Sequence, residues 1–165
     1  MTTAIEYALM AGASYISNRP VINRLPAPDV WLEAIEDRRT TASGFETTYF
    51  VGVNNEIVIS FAGTDFSSGT IGTIFSGDFW FGNIPLITGI SVSGADQLVD
   101  AVEYYLKVKA ANPNATISLT GHSLGGALAA LVGVFFGETA FTFDQVPAAQ
   151  TAMSGSATLL RDAKS

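Results

Sequence analysis

Two glycines constrain this chain more tightly than any other feature. Gly121-His122-Ser123-Leu124-Gly125 follows Ile117-Ser118-Leu119-Thr120, a run with the composition of a short strand, and opens Leu124 to Phe136, an almost wholly apolar run. A Gly-x-Ser-x-Gly string between strand and helix describes a sharp turn that thrusts the serine outward. The glycines let neighbouring backbone pass without a Cβ clash. A helix apolar all round is buried on most faces. The stretch therefore predicts a strand, a strained turn and a buried helix, in that order. The plain alternative is a tight strand-to-helix turn whose serine merely caps the helix.

The rest of the chain fits around this unit. Thr3 followed by Glu6 has the capping-box pattern, and Ile5, Ala8, Leu9, Gly12 and Ile16 recur at helical spacing, so a helix opens the chain and ends at Asn18-Arg19-Pro20. After Pro26-Ala27-Pro28, Asp29 caps a short helix through Ile35. Phe45 to Val53 and Ile57 to Phe61 are β-rich runs separated by Asn54-Asn55, an antiparallel hairpin. Ser93 caps a helix with Ala95, Leu98, Val99, Val102, Tyr105 and Leu106 on its apolar side, and Asn112-Pro113 stops it. Gly137 ends the apolar helix, Ala140 to Phe143 reads as another buried strand, and Ala148 to Ser165 reads as helical. Strand, helix, strand, helix, strand implies an α/β fold, a mostly parallel sheet with helices on both faces and an antiparallel hairpin at its N-terminal side. With 165 residues, 48% of them hydrophobic, one core and one domain over residues 1–165 are expected.

Composition excludes several classes of function. The formal net charge of -7, with no cluster of Lys or Arg, argues against nucleic acid or an anionic membrane surface as partner. No cysteine is present, which removes disulfides, thiolate metal sites and cysteine nucleophiles. No His/Asp/Glu cluster has metal-ligand spacing and no glycine-rich loop fits a phosphate, so neither metal nor cofactor is expected. Met1-Thr2-Thr3-Ala4-Ile5-Glu6 has no basic region and carries an acid where a signal peptide is apolar. No apolar run approaches the roughly 20 residues that span a bilayer. These readings predict a soluble chain with no transmembrane segment and leave its compartment unassigned.

The turn also carries chemistry. The helix N-terminus behind Ser123 directs free N–H groups and a positive dipole end at the serine, so Leu124 N–H is a candidate donor to an oxyanion. Ile59-Ser60-Phe61-Ala62-Gly63-Thr64-Asp65 ends the second hairpin strand, and sites in open α/β sheets lie beyond the carboxyl ends of strands. Thr64 can meet Ser123 there as the second donor. A Gly-Thr-Asp turn that only caps a strand is the plain alternative.

At these residues the chain resembles the class 3 lipases, the fungal-type group within the α/β-hydrolases. The matching stretches are Ile57 to Thr64, Asp78-Phe79-Trp80, the helix from Ser93, Thr120 to Ala130 and Ala140 to Phe143, within a likeness covering roughly residues 1–150. The resemblance implies a carboxylic ester hydrolase acting on acyl glycerols or simpler esters, with Ser123 as nucleophile, an acyl-enzyme intermediate, and Thr64 and Leu124 as the oxyanion hole. Ala62 stands where that family usually has an arginine. The family's catalytic aspartate and histidine follow the strand that ends here at Phe143, in a region with no counterpart in the chain, so the fold is expected to lack the usual C-terminal strands. His122 is then a candidate base, or else a packed histidine that braces the turn. Asp144 is a candidate acid, or a turn residue before Val146-Pro147. Phe66, Phe75 and Trp80 are candidates for an acyl-chain surface or lid, or for packing beneath a long loop. The alternative function is a catalytically weak lipase-like domain that serves as a binding or assembly module, or that takes its base from another chain. A bare sheet edge would favour a homo-oligomer.

Overall fold

The capping box forms as the sequence predicts. Thr3 Oγ1 accepts from Glu6 N–H at 3.3 Å, and Glu6 Oε2 accepts from Thr3 N–H at 2.7 Å, which starts helix α1, Ala4–Ala13. The computed structural model describes residues 2–16, 25–42, 44–63 and 90–144, with the side chains of 90–96 excepted. The expected stop at Asn18-Arg19-Pro20 lies outside these residues, and so do the aromatic stretch from Phe66 to Phe81 and the expected helix from Ala148. Helix α1 ends earlier than its apolar spacing suggested. Ser14 Oγ donates back to Ala11 O at 2.9 Å, and Ile16 N–H donates to Glu46 Oε2 at 3.0 Å, so the chain is drawn off the helical path onto a neighbouring strand.

The helix expected from Asp29 through Ile35 is replaced by β structure. Leu32–Glu33 is strand β1, Ile35–Asp37 a 3₁₀ turn and Arg39–Thr40 strand β2; both strands pair antiparallel with β3, Glu46–Val51. An isolated helix of that length cannot repay its nucleation cost, whereas pairing along β3 satisfies the backbone at once. Trp31 anchors the segment: its ring lies buried over Gly52, where an added Cβ would come within 2.7 Å of it, and its Nε1 donates to Glu6 Oε1 at 3.1 Å.

Strand β3 then forms the expected hairpin with β4, Glu56–Phe61, in the register Thr47↔Phe61 to Val51↔Ile57. Asn54 and Asn55 take left-handed backbone angles in the turn, which asparagine tolerates better than most residues. Helix α2, Ile90–Ala111, begins before Ser93, so that serine lies inside the helix rather than at its cap; Asn112 follows its end as expected. Strand β5 is Thr116–His122, helix α3 is Leu124–Phe136, and strand β6 is Thr139–Phe143. Gly137 closes α3 in the left-handed conformation, φ 71°.

The sheet is open, in the order β1-β3-β4-β5-β6 with β2 beside β3, and its β4-β5-β6 portion is parallel. Alternation along the strands divides two cores. Ile57, Ile59 and Phe61 of β4, with Ile117 and Leu119 of β5, pack beneath α2 and α3 against Tyr104, Tyr105, Leu128 and Val132. Val58 and Phe50 turn to the opposite face and meet Tyr7 and Met10 of α1. Each such buried apolar side chain contributes about 2 kcal/mol. Strand β6 was expected to be buried; among the described residues it is the terminal strand, and Phe141 keeps 42% of its surface exposed. No described helix is long and apolar enough to cross a membrane.

Candidate active site

The parallel register of β4 and β5 brings Phe61 level with Gly121, so both chains leave the sheet at the same edge. There Ser123 adopts φ 56° and ψ -123°, a region that non-glycine residues occupy only under constraint from their surroundings. The constraints are visible. A Cβ on Gly121 would lie 2.4 Å from the backbone of Gly125, and one on Gly125 would lie 2.0 Å from Phe61 O and 2.7 Å from Ala62 C. The first turn of α3 therefore sits directly on the end of β4, an approach that only glycines permit. Ser123 N–H donates to Phe143 O at 3.0 Å, clamping the turn to the end of β6.

Ser123 makes no side-chain cap to α3. The capping-serine alternative thus fails on geometry, and the strained backbone holds a hydroxyl that the helix does not use. Ser123 N–H is engaged by Phe143, and the next backbone donor along the chain is Leu124 N–H. As the first residue of α3 it has no acceptor one turn back within the helix.

The expected partner turn is adjacent. A Cβ on Gly63 would lie 3.2 Å from Ser123 Cβ and 2.8 Å from His122 O, so the turn after β4 packs against the serine itself. Ala62 is buried and its N–H donates to Glu46 O at 2.9 Å, fixing where the turn begins. Thr64 itself lies outside the described residues, as do Phe66, Phe75 and Trp80.

His122 shares the α1 face of β5 with Ser118 and Thr120. Its Nδ1 is hydrogen bonded to Tyr15 Oη at 3.0 Å, with the two rings tilted at 57°. Sequence reasoning missed Tyr15, which stood only as an unremarked residue near the end of a helix. Asp144 follows Phe143 at the carboxyl end of β6, exposed and with φ 46°, and makes no hydrogen bond or ion pair among the described residues. It sits one residue beyond the carbonyl that clamps the serine. Among the described residues no group of three or more His, Cys, Asp or Glu side chains could hold a metal ion. A groove of about 190 Å³ lined by Thr2, Tyr7, Glu56 and Ser118 opens at the amino ends of β4 and β5, the opposite edge of the sheet from Ser123.

Comparison with known proteins agrees with this geometry. A model of the family described as Lipase (class 3) matches residues 57–154, from the start of β4 past the end of β6. The atg15 protein of Penicillium rubens, which carries a provisional lipase name, is 49% identical over 49 residues, 30% of this chain and 7% of its own. ATG15 of Cryptococcus neoformans, named likewise, is 62% identical over 32 residues, 19% of this chain and 6% of its own. The matches thus span less than a tenth of these relatives' length. Lipase II from Rhizopus niveus superposes with a TM-score of 0.56 at 20% identity over 86% of this chain and 61% of that one. The LIP2 lipase of Yarrowia lipolytica gives 0.57 at 16% identity over 84% and 56%. At these identities the likeness is one of fold, the α/β-hydrolase fold expected from the sequence. Fold, serine turn and family match coincide on the same strands, and the chain belongs to the class 3 lipase family.

Proposed function

We propose that this chain is the nucleophile-bearing part of a lipase-type serine ester hydrolase. Ser123 Oγ attacks the ester carbonyl carbon, and the C–O bond to the alcohol breaks as that oxygen takes up a proton. Water then attacks the resulting acyl-serine, releasing the acid and restoring the hydroxyl. Leu124 N–H and Thr64 hold the negative charge on the carbonyl oxygen in both tetrahedral stages. The observation that carries the reading is the strained Ser123, uncapped and seated between the turn at Gly63 and the N-terminus of α3. Acyl glycerols or simpler esters are the substrate class, with the aromatic stretch that includes Phe66, Phe75 and Trp80 as the acyl-chain surface.

The proton on Ser123 Oγ needs a base within hydrogen-bond reach. The only histidine of the chain is His122, and its Nδ1 is committed to Tyr15. We assign His122 to bracing rather than to proton transfer, and place the base on a group outside these 165 residues, with Asp144 as a candidate to orient it. That commitment of the one histidine also favours a second reading, an ester-binding module without efficient turnover. Labelling with a fluorophosphonate probe separates the two. Rapid stoichiometric labelling of the parent that disappears in Ser123→Ala supports an activated serine. Absence of labelling both in this chain and in the longer protein or assembly that supplies the base overturns the hydrolase reading and leaves the binding module.

A further inference from the structure

We infer that Tyr15 is a positioning residue that sets the gap between Ser123 and the turn at Gly63. The inference deepens the ester-hydrolase reading and rests on it. Strands β4 and β5 hold each other in register only as far as Phe61↔Gly121. Beyond that pair the two segments that must cooperate, Ala62-Gly63 and His122-Ser123, no longer pair with each other and are held to β3 and β6 instead. Tyr15 reaches both. Tyr15 Oη is hydrogen bonded to His122 Nδ1 at 3.0 Å, and it lies 2.7 Å from where a Cβ on Gly63 would stand.

Tyr15 can act as a spacer because its own position is fixed from three sides. Ser60 Oγ of β4 donates to Met10 O at 3.0 Å, Tyr7 Oη donates to Ser118 Oγ of β5 at 2.9 Å, and Glu46 of β3 accepts from Ile16 N–H at 3.0 Å. Helix α1 and the residues after it are thus splinted across three strands, and buried Tyr15 projects from that splint into the angle between the two turns. With a neutral imidazole the tyrosine hydroxyl donates to Nδ1, which places the ring proton on Nε2 and fixes the ring's orientation. Loss of the hydroxyl leaves the ring packed but releases His122. The residue next to the nucleophile can then rotate, and the distance from Ser123 to its oxyanion donors is no longer fixed.

The test uses the intact chain and three variants, Tyr15→Phe, His122→Ala and the double variant. The limiting rate of fluorophosphonate labelling is read apart from the probe concentration at half-saturation. Tyr15→Phe is expected to lower the limiting rate roughly tenfold or more, because sub-ångström misplacement of reacting groups is expensive. Half-saturation and melting temperature should stay near the parent values, as the ring still fills its site. The double variant should be no slower than the slower single variant, since both changes cut one contact. The one imidazole gives a second, activity-independent reading: its ¹⁵N signals can be followed without assignment, and the Nδ1 signal should move in Tyr15→Phe. A Tyr15→Phe chain that labels at the parent rate, or whose imidazole signals do not move, overturns the inference while leaving the hydrolase reading intact. Should the chain label only within the longer protein or assembly that supplies the base, the same rates are read there; a parent that labels in neither overturns both.

Discussion

Gly125→Ala offers a sharp test of how the serine turn is built, because two rules give opposite signs. In a helix interior, glycine to alanine ordinarily gains about 1 kcal/mol. Here the new methyl would stand 2.0 Å from Phe61 O and 2.7 Å from Ala62 C, both backbone atoms of the strand end and unable to swing aside. Reaching an ordinary carbon–oxygen contact of about 3.3 Å requires the first turn of α3 to retreat by about 1.3 Å. That retreat loosens Leu128, Ala129 and Val132 from the core they share with β4 and β5. Overpacking of this kind costs about 1–3 kcal/mol, and the upper end applies when no side chain can relax. After the helix-propensity gain, a net loss of about 2 kcal/mol remains, or a melting temperature lowered by about 4–8 °C for a chain of this size. Urea denaturation of the parent, Gly125→Ala and the control Gly137→Ala measures it. A Cβ at Gly137 meets nothing within 4 Å, so only its left-handed backbone, φ 71°, is penalised, by about 1 kcal/mol. A Gly125→Ala midpoint at or above that of the parent would refute the close approach of α3 to β4.

Other variants probe separate links. Ser123→Gly relieves the strained backbone, so stability should rise by about 1–2 kcal/mol while probe labelling is lost; a lower unfolding midpoint would contradict the strain. Leu119→Ala, fully buried between Ile59 and Leu128, should cost about 2–5 kcal/mol, whereas Val99→Ala on the exposed side of α2 should cost under about 0.5. At Glu6, hydrogen bonds donated by Thr3 N–H and then by the Thr3 hydroxyl hold the carboxyl below its ordinary range. The folded state thus binds that proton less readily than the unfolded chain, so the stabilisation is complete above the ordinary range, about 4, and drains as pH falls through the depressed value. Glu6→Gln should therefore be less stable than the parent at neutral pH, with the difference closing in acid. A difference that stays constant across that range would show that the carboxylate charge plays no part in the cap.

What the sequence made legible follows from how local each signal was. The capping box at Thr3, the bounds of α3 and its glycine stop at Gly137 rest on neighbouring residues, and they appear where expected. Strands β1 and β2 are two residues long and exist because β3 offers them an edge, which no alternation in Leu32–Glu33 or Arg39–Thr40 could announce. Ser123 was readable because Gly121 and Gly125 record the close approach in the sequence itself. Tyr15 was not, because its role depends on a bond to a residue 107 positions away. The clamp on Ser123 was equally hidden, since the acceptor is a backbone carbonyl and any side chain at Phe143 would supply it.

The docking of α1 has a consequence for the order of events during synthesis. The helix meets β5 through the hydrogen bond from Tyr7 to Ser118, 111 residues apart. At ribosomal rates of about 5–20 residues per second, α1 waits on the order of 10 s for the strand that receives it. Until then Tyr7 and Met10 can be covered only in part, by Trp31, Phe50 and Val58, which emerge earlier. The full seating of α1 is thus a late, long-range event that completes the serine turn's surroundings only after β5 has emerged.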